Sequence, residues 1–478
     1  MSCQTFRARR CTASQHKYAT ACKQNNLKPT TMEFLEKLLT RCFSSQDSVL
    51  HIGGKSVASL AERYETPLFI YDRDAMDQKL DALQTLLPHF DVYYPVKANP
   101  NLAILRHFVL RGCGLEIATG GEFIQALAAG CQPERILMAA PAKTDSDLEL
   151  ALSGNVGEVH IDSPGEAARI AAICKRLGIR ARVGVRVNPT GEARGGAIRT
   201  GGRPAPFGVD EEAIDSLIQM LSSTDCFDFR GIHMFVEMEV LDYRVLVNQY
   251  RKAIEIARRV VSRIGRPLQT IDFGAGLGIP YFAGETDLDI HALADEVAIL
   301  MDEVHSDPAF CGTRFVIAPG RFLIGEAGIY VARIVDIKES RGKKFLMLDG
   351  GMNHHLAASG NLGHMIKRNY PVALVAKLNQ KPEEQVEVVG PLCTPLDTLG
   401  RNLNLPKAEI GDLVGILQSG AYARSASPLS FLSHNTPLEV WIDHGEDFLI
   451  RSRGCTEDFM RDVSVPSRLL AAAPVTAH

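Results

Sequence analysis

From about residue 90 the chain alternates short β-branched runs with longer stretches in which apolar side chains return every three or four positions. The runs predict strands over Val92–Ala98, Gly114–Thr119, Arg135–Ala140, Glu158–Asp162, Arg182–Asn188, Gly231–Glu237, Thr270–Gly276 and Arg314–Pro319. Helical spacing lies between them, over Leu102–Leu110, Glu122–Ala128, Pro164–Leu177, Glu211–Leu221, Tyr243–Ile264 and Ile290–His305. In Tyr243–Ile264 it is carried by Ile256, Val260, Val261 and Ile264. Eight strands, each followed by a helix or a connection, over about 230 residues predict a (β/α)8 barrel of the TIM type. A doubly wound open sheet is the rival, but eight consecutive units are many for it.

After Gly320 the pattern changes. Gly328–Lys338, Lys344–Asp349, Val372–Leu378, Glu384–Val389, Asp412–Leu417 and Leu438–Asp443 alternate or run apolar between turn residues, as in antiparallel sheet. Leu50–Ile52 and Leu68–Tyr71 read the same way, so a second, antiparallel β-domain is expected to draw strands from both chain ends. The expected division is an extension over 1–44, partly disordered, N-terminal strands of the β-domain over 45–75 and the barrel over 76–325. The C-terminal β-domain follows over 326–465, and a fraying tail over 466–478.

Composition narrows the class. A chain of 478 residues with 46% hydrophobic and 23% charged residues is ordinary for a globular protein with one large and one smaller domain. The net charge of -4 and pI near 6.4 give no basic footprint for nucleic acid. No apolar run reaches the roughly 18 residues of a membrane span. Eleven cysteines stand singly, without CxxC or a metal-ligand spacing, which fits reduced thiols in a cytoplasmic protein and predicts no metal centre. Residues 1–32 hold six Lys or Arg, no acid and no signal-peptide core. A disordered arm, or an extension upstream of a start at Met32, accounts for them at least as well as a transit peptide.

The chemistry-bearing residues fall where barrel strands are predicted to end, the face on which such barrels place their sites. Lys97 ends the first strand in Tyr94-Pro-Val-Lys-Ala-Asn-Pro100. Desolvation there lowers an amine's pKa and favours imine formation, although a snorkelling lysine fits the position equally well. The seventh strand runs into Asp272-Phe-Gly-Ala-Gly-Leu-Gly278, small enough for backbone N–H groups to reach an anion. Arg321 closes Ala318-Pro-Gly-Arg321 one strand away, within reach of the same anion. In the β-domain, Gly390-Pro-Leu-Cys-Thr-Pro-Leu-Asp397 and Ser419-Gly-Ala-Tyr422 are irregular loops after strands, typical site positions.

These motifs, in this order and spacing, resemble those of the fold-type III pyridoxal 5′-phosphate (PLP) decarboxylases, the diaminopimelate, ornithine and arginine decarboxylase group, over residues 45–460. The resemblance implies that Lys97 holds the PLP aldehyde and that Glu116 lies near the ring hydroxyl. It implies phosphate contacts from Gly274, Ala275, Gly276, Arg321 and Tyr422, and a cofactor environment that includes His233, Phe235, Arg186 and Asn188. It assigns Cys393 as the proton donor, with Asp397 close by, both supplied from a second subunit. A head-to-tail homodimer with shared sites and a role in amino-acid metabolism follow from the resemblance alone.

Three departures stand against the pattern. The family has Glu before Pro-Gly-Arg, where it keeps the ring nitrogen protonated, and this chain has Ala318. The sixth-strand motif, usually His-x-His-x-Gly-Ser/Thr-Gln or a variant with Phe, reads His233-Met-Phe-Val-Glu-Met-Glu239. Glu237 and Glu239 are unfavourable near a phosphate if they face it, and neutral if they point into solvent. After Asp349-Gly-Gly-Met-Asn353 the chain continues His-His-Leu without the substrate-binding Arg-Pro-x-Leu-Tyr, and Thr394 replaces a glutamate for the distal amine. The expected substrate is an α-amino acid other than meso-diaminopimelate, as in a biosynthetic-cluster subgroup some of whose members act on carrier-tethered amino acids. Two further readings stay open: a homologue that has lost activity and binds or regulates a partner, and a PLP racemase.

Overall fold

The computed structural model describes residues 31–191, 198–199, 204–274, 276–362 and 367–470. Eight strands form the barrel: β1 (Phe90–Pro95), β2 (Gly114–Ile117), β3 (Ile136–Met138), β4 (Glu158–Ile161), β5 (Ala181–Asn188), β6 (Phe227–Met234), β7 (Thr270–Asp272) and β8 (Arg314–Ile317). All pair in parallel with their sequence neighbours, and β8 pairs back onto β1, closing the sheet. The expected barrel is therefore present, with every strand where the pattern put it. Its strands end earlier than the apolar runs do. Val96–Ala98, Ala118–Thr119, Ala139–Ala140, Phe273–Gly274 and Ala318–Pro319 lie beyond the strand ends. Ala118, Ala139, Ala140, Gly274, Ala318 and Pro319 among them line a cavity rather than extend the sheet, so hydropathy cannot tell the two apart.

The helices Leu102–Leu110, Pro164–Leu177 and Tyr243–Ile264 match the periodicity residue for residue. Where β6 and β7 converge only glycine fits, because a Cβ on Gly231 would stand 1.7 Å from the Thr270 carbonyl oxygen.

Outside the barrel, Gly328–Ser340 pairs antiparallel with Lys343–Leu348, Leu413–Ile416 and Leu68–Asp72. The sheet is mixed rather than wholly antiparallel. Leu68–Asp72 runs parallel to Leu438–Asp443, and Lys343–Leu348 runs parallel to Glu384–Val389. Neither pair is joined by a hairpin, so no tight turn dictates its direction. Strands at Thr398–Leu405 and Glu446–Arg451 carry too many polar residues to show in the pattern. Val49–Ile52 belongs to a separate three-stranded sheet, tied to the β-domain by Leu50 N–H donating to the Val375 carbonyl at 2.8 Å.

The helix Thr31–Arg41 is part of the fold. Phe34 and Leu38 enter a core with Leu50, Leu68, Ile329 and Val440, and Arg41 pairs with Asp287 and the buried Glu326. Residues 1–30 lie outside the described residues. Among the described residues no helix is long and apolar enough to cross a membrane.

Candidate active site

The C-terminal ends of the barrel strands enclose a cavity of about 290 Å³. Lys97 enters it from the single turn Val96–Ala98 that follows β1. Its Nζ donates to Oε1 of buried Glu116 on β2 at 2.5 Å. Desolvation disfavours the ammonium, but the Glu116 carboxylate and Tyr422 together outweigh it and the net shift is upward. The lowering expected from desolvation is thus reversed by a partner that strand position alone did not weigh.

The opposite wall is cationic. Arg321 donates to the Tyr281 hydroxyl at 3.2 Å and lies over the rings of Tyr281 and Tyr422, 5.2 and 4.7 Å from their centroids. Gly274 and Gly276 line the same wall with φ of +63° and +78°. A Cβ there would meet Phe235 at 2.6 Å or the Glu237 carbonyl at 2.8 Å, so the approach requires glycine. Ala275 lies outside the described residues. Tyr422 comes from the β-domain, and its N–H donates to the Ala98 carbonyl at 2.8 Å. Asn99 Nδ2 donates to the Gly420 carbonyl at 3.2 Å, joining the Lys97 turn to the Tyr422 loop.

The floor is a buried polar cluster. His233 on β6 lines the cavity, and its ring centroid is 4.7 Å from that of His160 on β4. One ligand-type atom from each of His160, His233 and Asp272 lies within 4.8 Å of the others. Neither ring nitrogen of His233 has a hydrogen-bond partner, while His160 Nε2 lies 3.3 Å from Glu158 Oε1. Burial, with His160 and Arg186 adding to it, holds His233 well below the usual histidine range. Burial also pushes Asp272 up to about 7, while Glu158 outweighs burial at His160 and raises it. Glu158 and His160 stand two apart on β4 and face the same cluster, a period-2 signal present in the sequence. Arg186 lines the cavity under Phe207, at 5.0 Å from the ring. Asn188, two residues beyond, does not line it. Its Nδ2 donates to Asp210 at 2.8 Å, where Val209–Asp210 adds to the edge of β5.

Cys393 is exposed and stands away from this cavity. Asp397 is buried and accepts from the N–H groups of Met352 and Leu392 at 2.6 and 2.9 Å. It fastens the Cys393 loop to the 349–360 loop, and a Cβ on Gly351 or Gly390 would stand 2.4 or 2.3 Å from its carboxylate. Burial raises the Asp397 pKa despite these two donors.

A family model described as the pyridoxal-binding domain of pyridoxal-dependent decarboxylases matches residues 73–325. The chain belongs to this family. L-glutamyl-[BtrI acyl-carrier protein] decarboxylase of Niallia circulans is 33% identical over 415 residues, 86% of this chain and 96% of that one. Diaminopimelate decarboxylase of Methanothermobacter thermautotrophicus is 32% identical over 428 residues, 88% and 97% of the two chains. In structure, the diaminopimelate decarboxylase of M. jannaschii in complex with L-lysine superposes with a TM-score of 0.82 at 26% identity, covering 89% of this chain and 98% of that one. These relatives are carboxy-lyases, and the chain is accordingly a member of the PLP-dependent amino-acid decarboxylases.

For a pyridoxal-dependent decarboxylase the cavity offers an amine at one end, a glycine-lined cationic wall at the other and the aromatic side chain of Phe235 between. The residues present fit the cofactor. Two details differ from the expected pattern. Ala318 lines the cavity with a methyl group and supplies no acid. Neither Glu237 nor Glu239 points into solvent, as one sequence reading allowed: both are buried. Glu239, at φ +59°, turns inward so that Oε1 lies 3.1 Å from Nη2 of Arg321. The His354–His355 segment is also internal. His354 Nδ1 meets the Tyr330 hydroxyl at 3.1 Å, and His355 Nε2 meets the Ser419 hydroxyl at 2.9 Å, beside the Tyr422 loop.

Proposed function

We propose that the chain is a PLP-dependent decarboxylase of an α-amino acid other than meso-diaminopimelate, with Lys97 as the cofactor's anchor. The supporting observation is the Lys97–Glu116 pair opening onto a cavity whose far wall carries Arg321, Tyr422 and two obligatory glycines. Bound there, PLP supplies a conjugated ring that takes up the electron pair released when the α-carboxylate leaves as CO₂. Glu116 keeps a proton on the Lys97 nitrogen and so decides when that amine is free to react. Phe235 walls one face of the cavity, while Arg321, Tyr422 and the glycine N–H groups hold the phosphate end.

Protonation of the product falls to Cys393, delivered by the partner of a homodimer. Its exposure and its place outside its own protomer's cavity accord with that role. Asp397 positions the thiol's loop rather than touching the reacting atoms. The glutamyl-carrier-protein decarboxylase among the relatives, together with Thr394 and the internal His354–His355 segment, favours an amino acid carried on a protein over a free diamino acid.

The test is a CO₂-release screen across basic, acidic and carrier-tethered amino acids, run alongside an absorbance spectrum of the purified protein. A lysine-bound cofactor band with CO₂ from one substrate class is expected. Absence of cofactor binding would end the proposal. A second reading, a catalytically impaired homologue, is favoured by Ala318 and by Glu239 facing Arg321. Cofactor binding without CO₂ from any class would support it, whereas racemised substrate without CO₂ would mark a racemase.

A further inference from the structure

Arg321 already has an anion. Glu239 Oε1 is buried on the cavity wall, 3.1 Å from Nη2 of Arg321, without the alignment of a hydrogen bond. Its backbone is fixed by neighbours in the cradle. Val240 N–H donates to the Gly276 carbonyl at 2.9 Å, Gly278 N–H donates back to the Val240 carbonyl at 3.0 Å, and the φ of Glu239 is left-handed. Arg321 is held on its other sides by the Tyr281 hydroxyl and the rings of Tyr281 and Tyr422, so it cannot swing away from the carboxylate without losing them. A phosphate at the Gly274–Gly276 cradle would meet Arg321 only by displacing or crowding a carboxylate of its own sign, and two like charges in a desolvated wall repel strongly. Met238, which also lines this wall, offers no hydroxyl in compensation.

We propose that Glu239 is an internal anion that occupies Arg321 and competes with the phosphate group of the cofactor, setting how tightly the phosphate is held. This rests on the reading of the cavity as a PLP site. The loosely aligned ion pair is the contact that a better-aligned phosphate acceptor replaces. Glu239 is thus a specificity residue: it weakens the site for phosphorylated ligands while leaving the Lys97 end unaffected.

Cofactor-free protein and its Glu239→Gln variant are titrated with PLP and with pyridoxal, which has the same aldehyde and no phosphate, following the lysine-bound absorbance band. Glu239→Gln should tighten PLP binding about tenfold and leave pyridoxal binding unchanged. In parallel, inorganic phosphate should raise the unfolding temperature of Glu239→Gln more than that of the wild type. The phosphate-free unfolding temperatures show whether both proteins are folded, and Glu239→Asp provides a second variant that keeps the charge but shortens its reach. Equal or weaker PLP binding by Glu239→Gln, or an equal response to phosphate, overturns the proposal. If neither aldehyde reacts with Lys97 in any variant, the PLP reading fails by itself, and the phosphate response still decides the role of Glu239.

Discussion

The Lys97 ammonium, on the turn after β1, meets the Glu116 carboxylate of β2 at 2.5 Å in the cavity that both line. The pair is the feature on which reactivity turns. Desolvation works to free the amine, and Glu116, together with Tyr422, outweighs it. Glu116→Gln should therefore lower the Lys97 pKa. The pH profile of Lys97 modification by pyridoxal reads it directly, with the midpoint moving to lower pH in the variant. A midpoint that stays in place would mean that the carboxylate does not govern the amine.

Cys393 does not line its own protomer's cavity, so the proposed homodimer with shared sites has a genetic signature. Lys97→Ala and Cys393→Ala are each expected to be inactive alone. Mixed and re-equilibrated, they should recover about a quarter of wild-type activity, because half of the dimers then carry one intact site of two. No recovery from folded, mixed subunits would mean that Cys393 and Lys97 do not meet across a subunit boundary.

Ala318 puts a methyl group on the cavity wall where the family pattern has a glutamate. Ala318→Glu is expected to raise the rate of CO₂ release at least tenfold if protonation at that position limits the wild-type rate. The comparison is kcat for the two proteins on the substrate found in the screen, and an unchanged or lower kcat counts against the account of this departure.

Gly420 lies so close to the barrel that a Cβ would stand 1.8 Å from the Ile324 carbonyl oxygen. Gly420→Ala should push out the loop bearing Tyr422 and cost about 1–3 kcal/mol of stability by overpacking. Cofactor affinity is expected to fall with it, since Tyr422 N–H is tied to Ala98 beside Lys97. Urea unfolding and a PLP titration measure the two effects separately.

His354 and His355 are buried bases, each pushed down to about 3, chiefly by burial. An unfolded histidine takes up its proton near about pH 6.5. Between those values the unfolded chain binds more protons than the folded one, so stability falls as pH falls from about 6.5 toward 3. Each histidine contributes a slope of at most about 1.4 kcal/mol per pH unit. Urea unfolding between about pH 7 and pH 5 should show a shallower acid loss in His355→Gln, and an identical slope would exclude the histidine as its source.

The barrel was legible because its two periodicities, two and near 3.6, persist through eight units, and Tyr243–Ile264 was placed to the residue. The site motifs were legible because glycine and proline bracket them at strand ends. Other features turn on tertiary direction. Nothing in Val-Glu-Met-Glu says that Glu239 folds inward at a left-handed φ onto Arg321, 82 positions later in the numbering. Nor could hydropathy separate the ends of β1, β7 and β8 from the apolar cavity wall that continues them. Direction in the second sheet was hidden for a similar reason, since Leu68–Asp72 reaches Leu438–Asp443 without a hairpin to orient it.

The central claim is that Lys97 is the cofactor's anchor. Borohydride reduction of the protein loaded with PLP, followed by proteolysis and mass spectrometry, tests it most directly. The account predicts one reduced pyridoxyl adduct, on the peptide containing Lys97, and none in Lys97→Ala. An adduct on another lysine, or none on a protein shown to be folded, would contradict it.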